Sequence, residues 1–100
     1  MKRSIFHSYP GGKLYIIMVY DIKEERVYKV LKTARKYLTW VQNSVLEGEI
    51  TDAGFERFKM ELKEIIDEDE DSIIFYTMRT TRYTSRENIG VVKGGEEMII

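Results

Sequence analysis

Asp21 follows directly on Leu14–Tyr20 (Leu-Tyr-Ile-Ile-Met-Val-Tyr), the most apolar run in the chain. Seven such residues, rich in β-branched and aromatic types, predict a strand buried on both faces. A carboxylate at the end of such a strand is costly to desolvate unless a metal, a partner charge or water meets it. The carboxyl end of a central strand is also where sites form in open sheets. One carboxylate makes a poor site for Mg²⁺ or Ca²⁺, which take several oxygens, whereas two copies facing each other across a twofold axis would make a better one. The competing reading is a strand-end aspartate that turns into the loop and caps the next helix through the amides of Lys23–Glu25.

Other catalytic chemistries find little material. The only histidine is His7, in a loose N-terminal stretch, which removes a triad and an imidazole metal cluster. Ser44 therefore reads as a turn hydroxyl, and Tyr20 as a ring that packs and hydrogen-bonds its hydroxyl, with a role in orienting water or phosphate as the functional alternative. With no cysteine the chain has neither disulfides nor thiolate sites, which fits a reducing cytoplasm. Gly94-Gly95 lacks the length and helix context of a phosphate loop and reads as a hinge.

The formal net charge of −1 argues against a dedicated nucleic-acid binder, but the charges are segregated. Arg26, Lys29, Lys32, Arg35 and Lys36 lie in a stretch to Leu46 that contains no acid, whereas Glu61–Asp71 holds seven acids and one lysine. Arg79, Arg82 and Arg86 form a second basic group, with Tyr83 among them. These two clusters are candidate phosphate contacts, with salt-dependent affinity; ordinary solvated faces are the bland reading.

One hundred residues, 43% of them hydrophobic, predict a single domain. Residues 1–13 carry two early basic residues but no apolar core of a signal peptide, and are expected to be a flexible extension before a domain over 14–100. The longest apolar run falls far short of the ~20 residues needed to span a membrane.

Lys23–Leu38 is expected to be a helix, with Val27, Val30, Leu31, Ala34 and Leu38 on one stripe and Lys29, Lys32 and Lys36 on the other side. Two short strands are expected over Trp40–Ile50, with Gln42-Asn43-Ser44 or Glu47-Gly48-Glu49 as the turn. Thr51 can cap a second helix, Asp52–Asp67. Glu68–Asp71 reads as a solvated connector, Ser72–Arg79 as a second buried strand, Thr80–Glu87 as a polar loop, and Asn88–Val92 and Glu96–Ile100 as short strands. The order β-α-β-β-α-β with trailing strands, and one apolar stripe per helix, predicts an α+β ferredoxin-like fold with an extra C-terminal strand: an antiparallel sheet with both helices on one face. Met98-Ile99-Ile100 is an odd apolar ending, unless it adds as a strand to a sheet edge, such as that of another subunit.

A first strand ending Val19-Tyr20-Asp21-Ile22, a basic helix, and then Trp40–Gly48 (Trp-Val-Gln-Asn-Ser-Val-Leu-Glu-Gly) resembles the family of CRISPR-associated protein two, the small protein that works beside the CRISPR integrase in spacer acquisition. The similarity runs from about Leu14 to Ile100. Within it, Leu46 stands where an aromatic residue is common and Trp40 where a basic one is.

The resemblance implies a homodimer whose interface includes Asp21, Ser44, Met98, Ile99 and Ile100, with Asp21 as the carboxylate for a divalent cation such as Mg²⁺. It implies Tyr20 as the catalytic neighbour, Arg26 as a basic contact, and Gln42 and Ser44 as the Gln-x-Ser-Val match. The implied function is a cytoplasmic scaffold for duplex DNA and the integrase, with metal-dependent cleavage of RNA or double-stranded DNA. Alternatives are a stand-alone toxin-like endoribonuclease and a regulatory dimer without nucleic acid.

Overall fold

The computed structural model describes residues 12–80 and 83–91, and the side chains of 80 and 83–86 are not among what it describes. The elements are β1 (Lys13–Asp21), α1 (Glu24–Ala34), β2 (Thr39–Gln42), β3 (Val45–Thr51), α2 (Asp52–Ile65), β4 (Ser72–Thr80) and β5 (Tyr83–Gly90). All strands pair antiparallel in one sheet, in the order β2-β3-β1-β4-β5. This is the expected α+β ferredoxin-like arrangement, with a fifth strand outside β4.

Strand alternation sorts the side chains into two layers. On the helix side, Leu46–Met18–Phe75 form one cross-strand row, and Leu14, Ile16, Tyr20 and Ile73 extend it. Val30, Ala34 and Leu38 come down from the α1 segment, and Phe55, Phe58 and Leu62 from α2. Tyr37 stacks on Phe58 at 4.7 Å, and Phe55 meets Phe75 edge-on at 5.0 Å, geometries that suit the ring quadrupole.

The other face of the sheet carries Val45–Val19–Ile74, then Glu47–Ile17–Tyr76, then Glu49–Tyr15–Met78 as successive rows. No described helix covers it. The expectation of a strand buried on both faces is thus met on one: Tyr15, Ile17 and Val19 are only half-buried within the protomer.

Several boundaries differ from expectation. The α1 helix stops at Ala34, and Arg35–Tyr37 turn, so Leu38 reaches the core from beyond the helix end. The hairpin between β2 and β3 turns at Asn43-Ser44, the first of the two expected positions. Asn43 has φ +44, a left-handed conformation that asparagine tolerates better than most residues. Thr51 caps α2, its Oγ1 accepting from the Gly54 amide at 2.9 Å, and the helix ends at Ile65, two residues early.

Thr80–Glu87, expected as a loop, is largely β5. Its polar composition misled because an outer strand need not hide many side chains; Ile89, paired with Ile73, is buried. Residues 1–11, Arg82, and the C-terminal strand expected over Glu96–Ile100 with Met98, Ile99 and Ile100 lie outside the described residues. Lys13, assigned to the extension, is the first residue of β1.

Candidate functional site

Asp21 closes β1 opposite Ser72 of β4, with its side chain exposed. The alternation of β1 places it on the face of Val19, Ile17 and Tyr15, so it stands at the margin of the uncovered apolar face. Tyr20, one residue earlier, points the other way. It is buried among the helices, and its hydroxyl donates to the Asn43 carbonyl at 3.3 Å. Burial pushes this hydroxyl up from its ordinary value, against the lowering pull of Ser44 and Arg35, so Tyr20 stays a neutral phenol. The structure does not bring the Tyr20 and Asp21 side chains together.

Ser44 meets this end of the sheet through its backbone, its carbonyl accepting from the Tyr20 amide at 3.1 Å. Gln42, also in the matched motif, is exposed on β2. The Asn43 carbonyl also takes the Trp40 indole N–H at 3.0 Å, so one turn carbonyl ties two aromatic residues to the hairpin.

The loop after Asp21 is fixed by a residue that sequence reasoning placed in solvent. Asp71 is fully buried rather than part of a solvated connector. Its Oδ1 accepts from the Lys23 amide at 2.9 Å and from Arg26 Nη2 at 3.1 Å; its Oδ2 accepts from Arg26 Nε at 2.6 Å and from the Asp67 amide at 2.9 Å. Burial alone would push this carboxyl up. The Arg26 guanidinium and the two amides outweigh it and hold the group at about 2. The amide at the start of α1 is thus received by Asp71, the role that the competing reading gave to Asp21.

The same residue anchors the end of β5: the Asp71 carbonyl accepts from the Val91 amide at 2.8 Å. Gly90, at φ +101, makes the approach feasible, since a Cβ there would lie 1.9 Å from the Asp71 carbonyl oxygen. Asp71 carried one signal in the sequence: it directly precedes an apolar strand, as Asp21 directly follows one. Nothing in the sequence linked it to Arg26, 45 positions away.

The expected basic surface divides. Arg26 is committed to Asp71 and to Glu70 at 2.9 Å, which together hold its guanidinium charged. Lys36 pairs with Glu61 of α2 at 2.9 Å, and Arg79 with Asp52 at 2.8 Å. Lys29, Lys32 and Arg35 are exposed and, among the described residues, make no ion pair. Arg86 lies in β5, opposite Tyr76 in the register.

A ferredoxin-like sheet with an exposed carboxylate at the end of its central strand, on a face that no described helix covers, defines the class of this protein: a small α+β domain with a candidate site at the rim of its sheet. Residues 14–86 match the model of CRISPR associated protein Cas2, and the chain belongs to that family. It is similar to the CRISPR-associated endoribonuclease Cas2 of Dictyoglomus turgidum, 59% identical over 87 residues that span 87% of this chain and 100% of that protein. The protein of the same name from Thermotoga maritima is 52% identical, over 86% of this chain and 99% of its own length. A solved structure described as the crystal structure of cas2 superposes with a TM-score of 0.66 at 39% identity, covering 88% of this chain and 99% of the other.

Proposed function

We propose that the protein works as a homodimer in CRISPR adaptation, holding a nucleic-acid duplex by its backbone and bridging copies of the CRISPR integrase, with Mg²⁺-dependent phosphodiester cleavage at paired Asp21 carboxylates. The observation that carries this reading is the place of Asp21, at the margin of an apolar sheet face that its own protomer leaves half-covered. A second copy laid on that face would bury Tyr15, Ile17, Val19, Val45, Tyr76 and Met78, and would bring a second Asp21 to the same rim.

Among the described residues of one protomer no three acidic, histidine or cysteine side chains gather as a metal site. The donor chemistry therefore fits a cation only across the dimer. Mg²⁺ keeps several waters and binds through one or two carboxylates plus substrate phosphate, and two Asp21 side chains match that demand. Such an ion would neutralise phosphate charge and lower the pKa of a bound water. The protein's own part is to hold Asp21 still, through the Asp71 junction behind its loop, and to keep Tyr20 out of the chemistry. The name carried by the relatives, endoribonuclease, supports RNA as one substrate.

Among the described residues no helix is long and apolar enough to cross a membrane, and the proposed site of action is the cytoplasm. Asp21→Ala tests the reading. It is expected to abolish cleavage and to remove Mn²⁺ binding of one ion per dimer by calorimetry, while duplex and integrase binding persist. Cleavage that survives in the variant, or a wild-type dimer that binds no ion, would refute the assignment of Asp21.

A further inference from the structure

Tyr28 is the most exposed of the described large hydrophobic side chains, at 75%. It stands in the middle of α1, on a rigid helix that packs Val30 and Ala34 into the core. Among the described residues its ring has no aromatic partner and no cation over it; the two cation–π pairs are Lys36 on Tyr37 and Lys59 on Phe55. An aromatic ring without a ring or cation partner, on an element that cannot fold it away, leaves most of its surface open to a ligand.

The helix repeat sets its neighbours. Lys32 follows at i+4, about 6 Å further along the axis. Arg35, the C-cap, keeps helical φ and ψ with its amide on the Leu31 carbonyl, and so continues the stripe at i+7, about 10 Å along. Neither has an ion pair among the described residues, and Lys29 beside them has none. The acids of this helix lie on the other side of Tyr28, in its first turn: Glu24, and Glu25 at 3.6 Å from Arg26. The stripe therefore runs from an acidic turn, through an open ring, to two unpaired cations.

That sequence of groups fits an unpaired nucleotide better than a paired one. In a duplex the flat faces of the bases are already stacked on one another, so a helix docked on it meets phosphates and base edges rather than open π faces. A single-stranded base offers its π face to a ring, with the adjoining phosphates within reach of cations. We propose that Tyr28, Lys32 and Arg35 form a stacking platform for an unpaired nucleotide, so that the α1 face binds the single-stranded portion of a substrate in preference to its duplex. The inference rests on the nucleic-acid reading above and adds to it which part of the substrate meets α1.

The test uses the full-length protein and two labelled DNA probes, a blunt duplex and the same duplex with a single-stranded overhang of about 10 nucleotides, within the span of known single-strand sites. RNA versions form a second arm, which separates the two sources of unpaired bases. By fluorescence anisotropy, Tyr28→Ala is expected to weaken overhang binding about 5- to 100-fold, with blunt-duplex binding changed less than about 2-fold. Tyr28→Phe, which keeps the ring, is expected to stay within about 2-fold of wild type on both probes. Lys32→Gln is expected to lower the salt slope of overhang binding by about one. Circular dichroism checks that each variant is folded. Equal affinity of the wild type for overhang and blunt probes, or equal loss on both in Tyr28→Ala, would overturn the platform and leave the nucleic-acid reading standing. A wild type that binds neither probe at low salt would overturn both.

Discussion

Replacing Asp71 by asparagine changes one oxygen for one amide nitrogen and nothing in volume. In the native protein the carboxylate is fully buried and accepts four hydrogen bonds, two at each oxygen. Whichever way the asparagine amide is turned, its NH₂ group faces two donors: either the Lys23 amide and Arg26 Nη2, or the Asp67 amide and Arg26 Nε. Breaking a buried pair by neutralising one partner costs about 3–5 kcal/mol. The low end applies here, because the Arg26 side chain is 20% exposed and keeps Glu70 at 2.9 Å. The expected loss is therefore about 3 kcal/mol at pH 7, or about 12–24 °C in melting temperature for a domain of this size.

The titration of the carboxyl gives an independent check. Its fall from the ordinary 3.8 to about 2 corresponds to about 2 kcal/mol once solvent at the Arg26 end is allowed for. The remaining cost in the variant comes from the two donors left facing the asparagine NH₂ group. A depressed folded-state pKa contributes stability that is present above the unfolded value and lost as pH falls through the folded one. The gap between wild type and Asp71→Asn should thus be full above about pH 4 and shrink toward pH 2. Urea unfolding of both proteins at one protein concentration, from pH 7 down to pH 3, measures it. A gap below about 1 kcal/mol at pH 7, or one that stays constant with pH, would refute the account of Asp71 as an ionised clamp.

Two further outcomes follow from neighbouring features. Gly90→Ala should cost at least about 2 kcal/mol, since φ +101 disfavours any Cβ and the new methyl would meet the Asp71 carbonyl; thermal unfolding within 2 °C of wild type would contradict this. Ile17→Glu places a charge in the Glu47–Ile17–Tyr76 row of the uncovered face. It should leave the monomer folded but weaken the proposed dimer about 100-fold or more, and a dimer of unchanged strength by analytical ultracentrifugation would show that this face is not the interface.

The fold was largely legible because its determinants are local. The stripe Val27–Val30–Leu31–Ala34, the Thr51 cap and the two apolar strands each announce an element within a few residues, and their order leaves few topologies. What was not legible depends on contacts distant in sequence. Asp71 looks like the last member of an acidic run, and only the tertiary placement of Arg26 and the Lys23 amide makes it a buried anchor. The β5 strand was hidden by its polar composition, which an edge position permits. For the site, the position of Asp21 at the strand end could be read directly. The separation of Tyr20 from it followed from strand alternation, but the family resemblance joined the two as neighbours in sequence. The split of the basic surface into engaged and unengaged cations required Glu61, Asp52 and Glu70 to be located in space.

The hydrogen bond from the Val91 amide to the Asp71 carbonyl gives the chain a mechanical property. At Val91 the backbone is tied, through Asp71, to the loop that follows Asp21. Tension applied at Val91 would therefore load that tie together with the β4–β5 ladder. A pull there would be felt, through Asp71, on the wall behind the carboxylate.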